Sequence, residues 1–172
     1  MHIGLPLLVI SQAVPVFALA PLLVLWLGYG LWSKVAMAVL IIFFPVTTAF
    51  LDGLRRTEPG MLDLASIMSA TLSPFRRTVS LMLHVRIPAA LPALASGLRV
   101  ATGVAPIGAV VGEWVGSSAG LGYLMLHANG RMQIDLLFAA LLVLALFSVL
   151  LWLSVDALLR RALPWQPDSF AR

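Results

Sequence analysis

The sequence predicts an all-α, polytopic membrane protein with about four transmembrane helices and one long cytoplasmic loop. Three observations predict it. Hydrophobic residues make up 61% of the chain and charged residues 10%, with a mean hydropathy of +1.03; an ordinary soluble domain carries roughly 25% charged residues. Apolar runs long enough to cross a bilayer, which takes about 20 residues of helix, lie on both sides of a single long polar interval. That interval, Leu51 to Pro92, holds five of the eleven basic residues (Arg55, Arg56, Arg76, Arg77, Arg86) and three of the seven acids (Asp52, Glu58, Asp63). Lys and Arg near span ends resist translocation, so a basic loop between two spans faces the cytoplasm.

The isoelectric point near 10.7 does not point to nucleic acid. The Arg residues sit at span ends and in the loop and form no stripe interleaved with exposed aromatics. With no cysteine there is no disulfide framework and no thiolate metal site. At 172 residues with no obvious internal repeat, residues 1–172 form one membrane domain.

The first span is expected over about residues 5–27. Pro15 and Pro21 each remove a backbone donor and kink or interrupt it. Either neighbouring helices satisfy the freed carbonyls, or the break lines a pathway. Gly28-Tyr29-Gly30 makes a short turn flanked by the interfacial aromatics Trp26, Tyr29 and Trp32. The second span covers about 34–50, with Pro45, Thr47 and Thr48 at its inner end, and Asp52-Gly53 stops the helix.

A loop over 51–88 follows, long for a mere connection and therefore a candidate docking surface. Pro59-Gly60 signals a turn. Met61 to Thr71 suits a short helix with Asp63 in its first turn, where a negative charge complements the helix dipole. Leu62, Ala65 and Met68 supply its apolar face. A second amphipathic stretch, Phe75 to Val85, sets Arg76 and Arg77 against Val79, Met82 and Leu83; basic segments of this kind often lie on lipid headgroups.

The third span, about 89–115, opens at Pro88, a residue tolerated at a helix start, and Pro92 disturbs its first turns. Small residues recur every four positions, Gly97, Ala101, Ala105 and Ala109 on one row and Gly108, Gly112, Gly116 and Gly120 on another. Such rows let backbones approach closely in lipid, and Gly97, Gly108, Gly112 and Gly116 are assigned to helix packing and to contact with a second copy. Arg99 is placed to snorkel to the cytoplasmic side.

Glu113 is the one acid deep in a span, where a carboxylate needs water, a partner or a cavity. It either marks the outer interface or belongs to a translocation path or gate. Gly116 to Asp135 is a glycine-rich outer segment, re-entrant or partly helical, in which His127 is either a ligand or simply hydrogen-bonded. The fourth span covers about 136–155. Asp156 and Arg160 form an i,i+4 pair, and Arg160-Arg161 place the C-terminus in the cytoplasm, with the N-terminus on the same side.

No catalytic constellation is visible: no paired carboxylates, no G-x-x-x-x-G-K-[ST] and no H-E-x-x-H. Neither a metal nor a cofactor is implied.

The stretch V-R-I-P-A-A-L-P-A-L-A-S-G-L-R-V (Val85 to Val100), followed by Gly112-Glu113 and by G-L-G-Y (Gly120 to Tyr123), resembles the membrane-spanning permease subunits of binding-protein-dependent ABC importers. Pro15 to Gly30 is similar to the nitrate, sulfonate and taurine branch. The run from Ala105 to Met125 is most similar to permeases for hydroxymethylpyrimidine, the pyrimidine precursor of thiamine. The resemblance implies a multi-pass subunit of the plasma (inner) membrane that hydrolyses no ATP itself. Its implied partners are a cytoplasmic ATP-binding subunit, a second permease copy, an extracytoplasmic solute-binding protein and membrane lipid, and its cargo is a small polar solute.

In that family the loop carries the signature E-A-A-x3-G-x9-I-x-L-P, whose helix docks on the ATPase. Here Asp63-Leu64-Ala65 stand for E-A-A and Ser69 for the glycine, while Val85, Ile87 and Pro88 fit I-x-L-P; Met68 completes the docking helix. Asp63 to Pro88 spans 25 positions (88 − 63) where the signature has 19, so six residues are extra. The family also has at least one span upstream of the point where this chain starts. The competing class is a polytopic membrane enzyme or scaffold whose basic loop binds lipid.

Overall fold

A computed structural model describes residues 16–71 and 73–165. Among them the structure is all helix and turn: α1 (Val16–Leu27), α2 (Leu31–Arg55), α3 (Pro59–Met68), α4 (Pro74–Leu81), a π-helical segment (Met82–Arg86), α5 (Ile87–Gly116), α6 (Leu121–Gly130) and α7 (Ile134–Ala162). Among the described residues three stretches are long and apolar enough to cross a membrane: Leu31–Arg55, Pro74–Gly116 and Ile134–Ala162. They correspond to the expected second, third and fourth spans. Of the expected first span, 5–27, only α1 falls within the described residues, and Pro15 lies outside them.

Several expected boundaries shift, each for a physical reason. Asp52-Gly53 does not end the second span, because α2 runs on to Arg55. Gly53 is there for proximity: a Cβ on it would sit 2.7 Å from Ala93 Cβ and 3.1 Å from Ala90 Cα. Pro45 is internal to α2 and does not mark its end, and Thr48 Oγ1 donates to the Pro45 carbonyl at 3.3 Å. Pro59 is no turn residue but the first residue of α3, a position where its missing N–H costs nothing. Asp63 consequently falls beyond the first turn of that helix.

Pro88 does not start the third span. Pro74 to Gly116 is one run of 43 helical residues, twice what the hydrocarbon core requires. The π segment explains how the helix tolerates Pro88: proline cannot donate to the carbonyl four residues back and its ring crowds that turn, and widening the preceding turn relieves both. The Ile87 N–H accordingly reaches back five residues, to the Met82 carbonyl.

By internal contacts the described chain forms two compact units, residues 16–44 with 100–155, and residues 45–71 and 73–99 with 156–165. In the first, Ala20, Met37 and Val111 form a small buried cluster with Leu23 against it. Helix α5 meets α2 there through glycines. A Cβ at Gly108 would lie 2.9 Å from Ala38 Cα, one at Gly112 would lie 3.0 Å from Lys34 Cα, and one at Gly116 would meet Val24 Cγ2 at 2.6 Å. In the second unit a Cβ at Gly97 would come 2.6 Å from Ala49 Cβ and 2.9 Å from the Pro45 carbonyl.

The four glycines are therefore helix-packing positions, and their partners are α1 and α2 of the same chain. The face they were expected to offer a second copy is already covered. Large apolar side chains point away instead, among them Val100, Ile107, Leu142 and Phe147, each more than half exposed within the chain, which suits contact with lipid.

Candidate functional site

Helix α3 is stopped by Ser69, whose hydroxyl donates to the Ala65 carbonyl at 2.7 Å and whose N–H bonds the same carbonyl at 3.1 Å. Ser69 is buried with φ −97°, a conformation that asks for no glycine. The helix lies beside the π segment and the start of α5. Met61, Leu64, Ala65 and Met68 from α3 and His84, Val85, Pro88 and Ala89 from the facing helix line an open cleft of about 410 Å³. Its wall is almost wholly carbon. Met61, Leu64 and Met68 are 53%, 62% and 78% exposed, so the described chain leaves this apolar surface without a cover.

The cleft gathers Leu64, Ala65, Met68, Val85 and Pro88 from the expected coupling residues. It does not gather Asp63, Ser69 or Ile87: Asp63 is exposed outside it, Ser69 closes the helix, and Ile87 ends the π turn. The apolar face is also displaced by one residue, because Met61, Leu64, Ala65 and Met68 fall at i, i+3, i+4 and i+7, and Leu62 is not among the lining residues. Met61, His84 and Ala89 are additions. Met61 is recoverable from helical spacing alone; His84 is brought in only by the fold.

Glu113 has a partner. Its Oε2 accepts from the Gly122 N–H at 2.6 Å, so a carboxylate on α5 caps the N-terminus of α6, where the first amides have no partner within the helix. Trp114 Nε1 donates to the Gly122 carbonyl at 3.0 Å, and consecutive residues of α5 thus hold both backbone groups of one glycine. Gly120 makes the arrangement possible. Its φ of +127° is open to glycine only, and a Cβ there would fall on the Glu113 carboxylate. His127 bonds the Tyr123 carbonyl through Nδ1 at 3.0 Å and stacks on the Tyr123 ring at 3.9 Å between centroids, which is the merely hydrogen-bonded alternative.

Arg99 does not snorkel. Its Nε donates to Asp156 Oδ1 at 2.7 Å while Arg160 Nε holds Oδ2 at 2.8 Å. The expected i,i+4 pair is present and has a third member. Among the described residues no group of three His, Asp or Glu side chains is placed to hold a metal ion.

The family described as binding-protein-dependent transport system inner membrane component matches residues 2–165. The chain belongs to that family. As an inner membrane component it is a multi-pass membrane protein, in keeping with the three long apolar helices among the described residues. Over 157 residues it is 66% identical to a probable ABC transporter permease protein of Haemophilus influenzae, covering 91% of this chain and 62% of that protein. It is 41% identical over 161 residues to the formylaminopyrimidine transport permease protein of Halalkalibacterium halodurans, covering 94% and 62%. With the taurine transport system permease protein of Escherichia coli the identity is 31% over 163 residues, covering 95% and 57%. This inner membrane component thus spans about six-tenths of the length of the curated relatives it matches. No solved structure matches it.

Proposed function

We propose that this chain is a permease subunit, or the larger part of one, in an ATP-driven importer, and that the cleft between α3 and the π segment is its coupling surface. The observation that carries the reading is the uncovered apolar wall of that cleft, lined by Leu64, Ala65, Met68, Val85 and Pro88. A protein surface with such a groove takes a partner's apolar side chains, and in this family the loop partner is a cytoplasmic ATP-binding subunit. On this reading residues 1–172 belong to one transmembrane domain, both termini and the loop face the cytoplasm, and the other partners are a second permease copy and an extracytoplasmic solute-binding protein. The copy–copy contact lies away from Gly97, Gly108, Gly112 and Gly116. Glu113 is a positioning residue that holds the α5–α6 turn beside the translocation path.

The imported solute is small and polar. The 41% identity to a formylaminopyrimidine permease favours a thiamine-type pyrimidine precursor, and the more distant taurine permease makes sulfonates the second class to test.

The lipid-binding alternative requires Phe75 to Val85 to lie in the headgroup plane, separated from the following span. No break occurs there: α4 passes through the π segment into α5 without a loop. Reconstituted transport separates the two. Ala65→Trp fills the cleft and is expected to uncouple ATP hydrolysis from uptake, as is Ala65→Glu. A lipid-bound helix would tolerate Trp, so full ATP-driven uptake in Ala65→Trp would overturn the coupling assignment.

A further inference from the structure

A second cleft, of about 470 Å³, opens in the first unit between the start of α2 and the turn that follows α5, and its lining includes Tyr29, Lys34, Ser117 and Ser118. Lys34 is the one lysine of the sequence. Its backbone is pressed against Gly112, where a Cβ would come within 3.0 Å of Lys34 Cα, so the side chain has a fixed base. It is partly buried, and its ammonium makes a single long hydrogen bond, to the Ala119 carbonyl at 3.4 Å.

An ammonium carries three donors and no acceptor. Among the described residues no carboxylate lies within ion-pair reach of it; the two ion pairs present are those of Asp156. Glu113, close in sequence to the cleft's far wall, is turned to the Gly122 N–H and does not line it. The Ser117 hydroxyl is engaged with Ala119. Tyr29 and Ser118 line the same cleft, and their hydroxyls have no partner among the described residues.

An ammonium with one long hydrogen bond, two hydroxyl-bearing residues on the same cleft and, among the described residues, no anion there make a donor set in search of acceptors. Such donors make their strongest, charge-assisted hydrogen bonds to an oxyanion acceptor, and the volume falls in the range of small-molecule sites. We propose that Lys34, Tyr29 and Ser118 form a binding site for a small oxyanion, a sulfonate, carboxylate or phosphate group. The inference goes beyond the coupling assignment and does not depend on it.

The test uses the amine itself. The protein in lipid nanodiscs is treated with an acetylating ester, and modification at Lys34 is followed by peptide-resolved mass spectrometry. Methanesulfonate is expected to slow acetylation several-fold, sodium chloride at equal ionic strength to leave it unchanged, and the Tyr29→Phe/Ser118→Ala double variant, folded by its tryptophan fluorescence, to lose most of the protection. Absence of protection, equal protection by chloride, or undiminished protection in the double variant would each overturn the site. Protection by solute-free binding protein alone, with none from methanesulfonate, would overturn it as a small-molecule site and assign the oxyanion to a carboxylate of that partner. Coupled uptake in the Ala65 variants is read separately, so failure here leaves the importer assignment standing.

Discussion

Arg99 Nε and Asp156 Oδ1 meet at 2.7 Å and tie α5 to α7 across 57 positions of sequence. Removing one partner of a shielded pair leaves the other charge uncompensated, which is strongly destabilising. Arg99 is 20% exposed at its side chain and Arg160 is 47% exposed, so only Arg160 can return to water freely. Asp156→Asn and Arg99→Gln are expected to lower the melting temperature in detergent clearly, and Arg160→Gln hardly at all. The double variant Arg99→Gln/Asp156→Asn should lose less than the sum of its parts. Tryptophan fluorescence during heating reads all four, and an equal effect from Arg160→Gln would contradict the ranking.

Glycines at close approaches should respond differently from those in open space. A methyl at Gly97 would meet Ala49 at 2.6 Å and backbone oxygen at 2.9 Å, while Gly103 has nothing within 4 Å. Gly97→Ala is therefore expected to cost about 1–3 kcal/mol by overpacking, and Gly103→Ala to be neutral or slightly stabilising through helix propensity. Denaturant titration of secondary structure distinguishes them; equal stability of the two variants would mean that α5 does not sit on α2 as described.

The capping role of Glu113 makes a prediction about chemistry rather than charge. Gln retains a carbonyl oxygen for the Gly122 amide, whereas Ala removes the acceptor. Glu113→Ala is expected to cost about 1 kcal/mol, the usual loss for an N-terminal cap, and Glu113→Gln appreciably less, with near-normal uptake. Uptake abolished in a stably folded Glu113→Gln protein would instead give the carboxylate charge a direct part in translocation.

Ser69, expected from the sequence to stand for a signature glycine, has a backbone that does not need one. Ser69→Gly removes the 2.7 Å bond to Ala65 and loosens the end of α3, at a cost of about 1 kcal/mol. Faster hydrogen exchange at the Ser69 and Ala70 amides, whose acceptors are the Ala65 and Ile67 carbonyls, would register it; unchanged exchange would show that the hydroxyl contributes nothing.

Much of this was legible from hydropathy and spacing. The polar interval, three of the spans, a short helix in the loop and the Asp156–Arg160 pair all follow from local pattern. What escaped was long-range. Gly53 looks like a stop because glycine is a poor helix former; that it marks a close approach depends on Ala90 and Ala93 being opposite it. Glu113 looked stranded because its partner is a backbone amide, which no side-chain inventory reveals. Arg99 appeared free to reach the interface because nothing local announces Asp156. The glycine rows announced a close helix contact without saying whose helix, and the answer is the chain's own.

The π turn before Pro88 has one more consequence. Each residue of an α-helix advances the face by about 100°, so a turn that takes up one extra residue rotates everything before it out of step with everything after. The side of α4 bearing Phe75 and Val79 therefore belongs to a different azimuth from the one an unbroken α-helix would assign it relative to Val85, Pro88 and Ala89. A length change of a single residue in Met82–Arg86 would act as a dial: it would leave the span intact and swing the whole preceding segment about its axis.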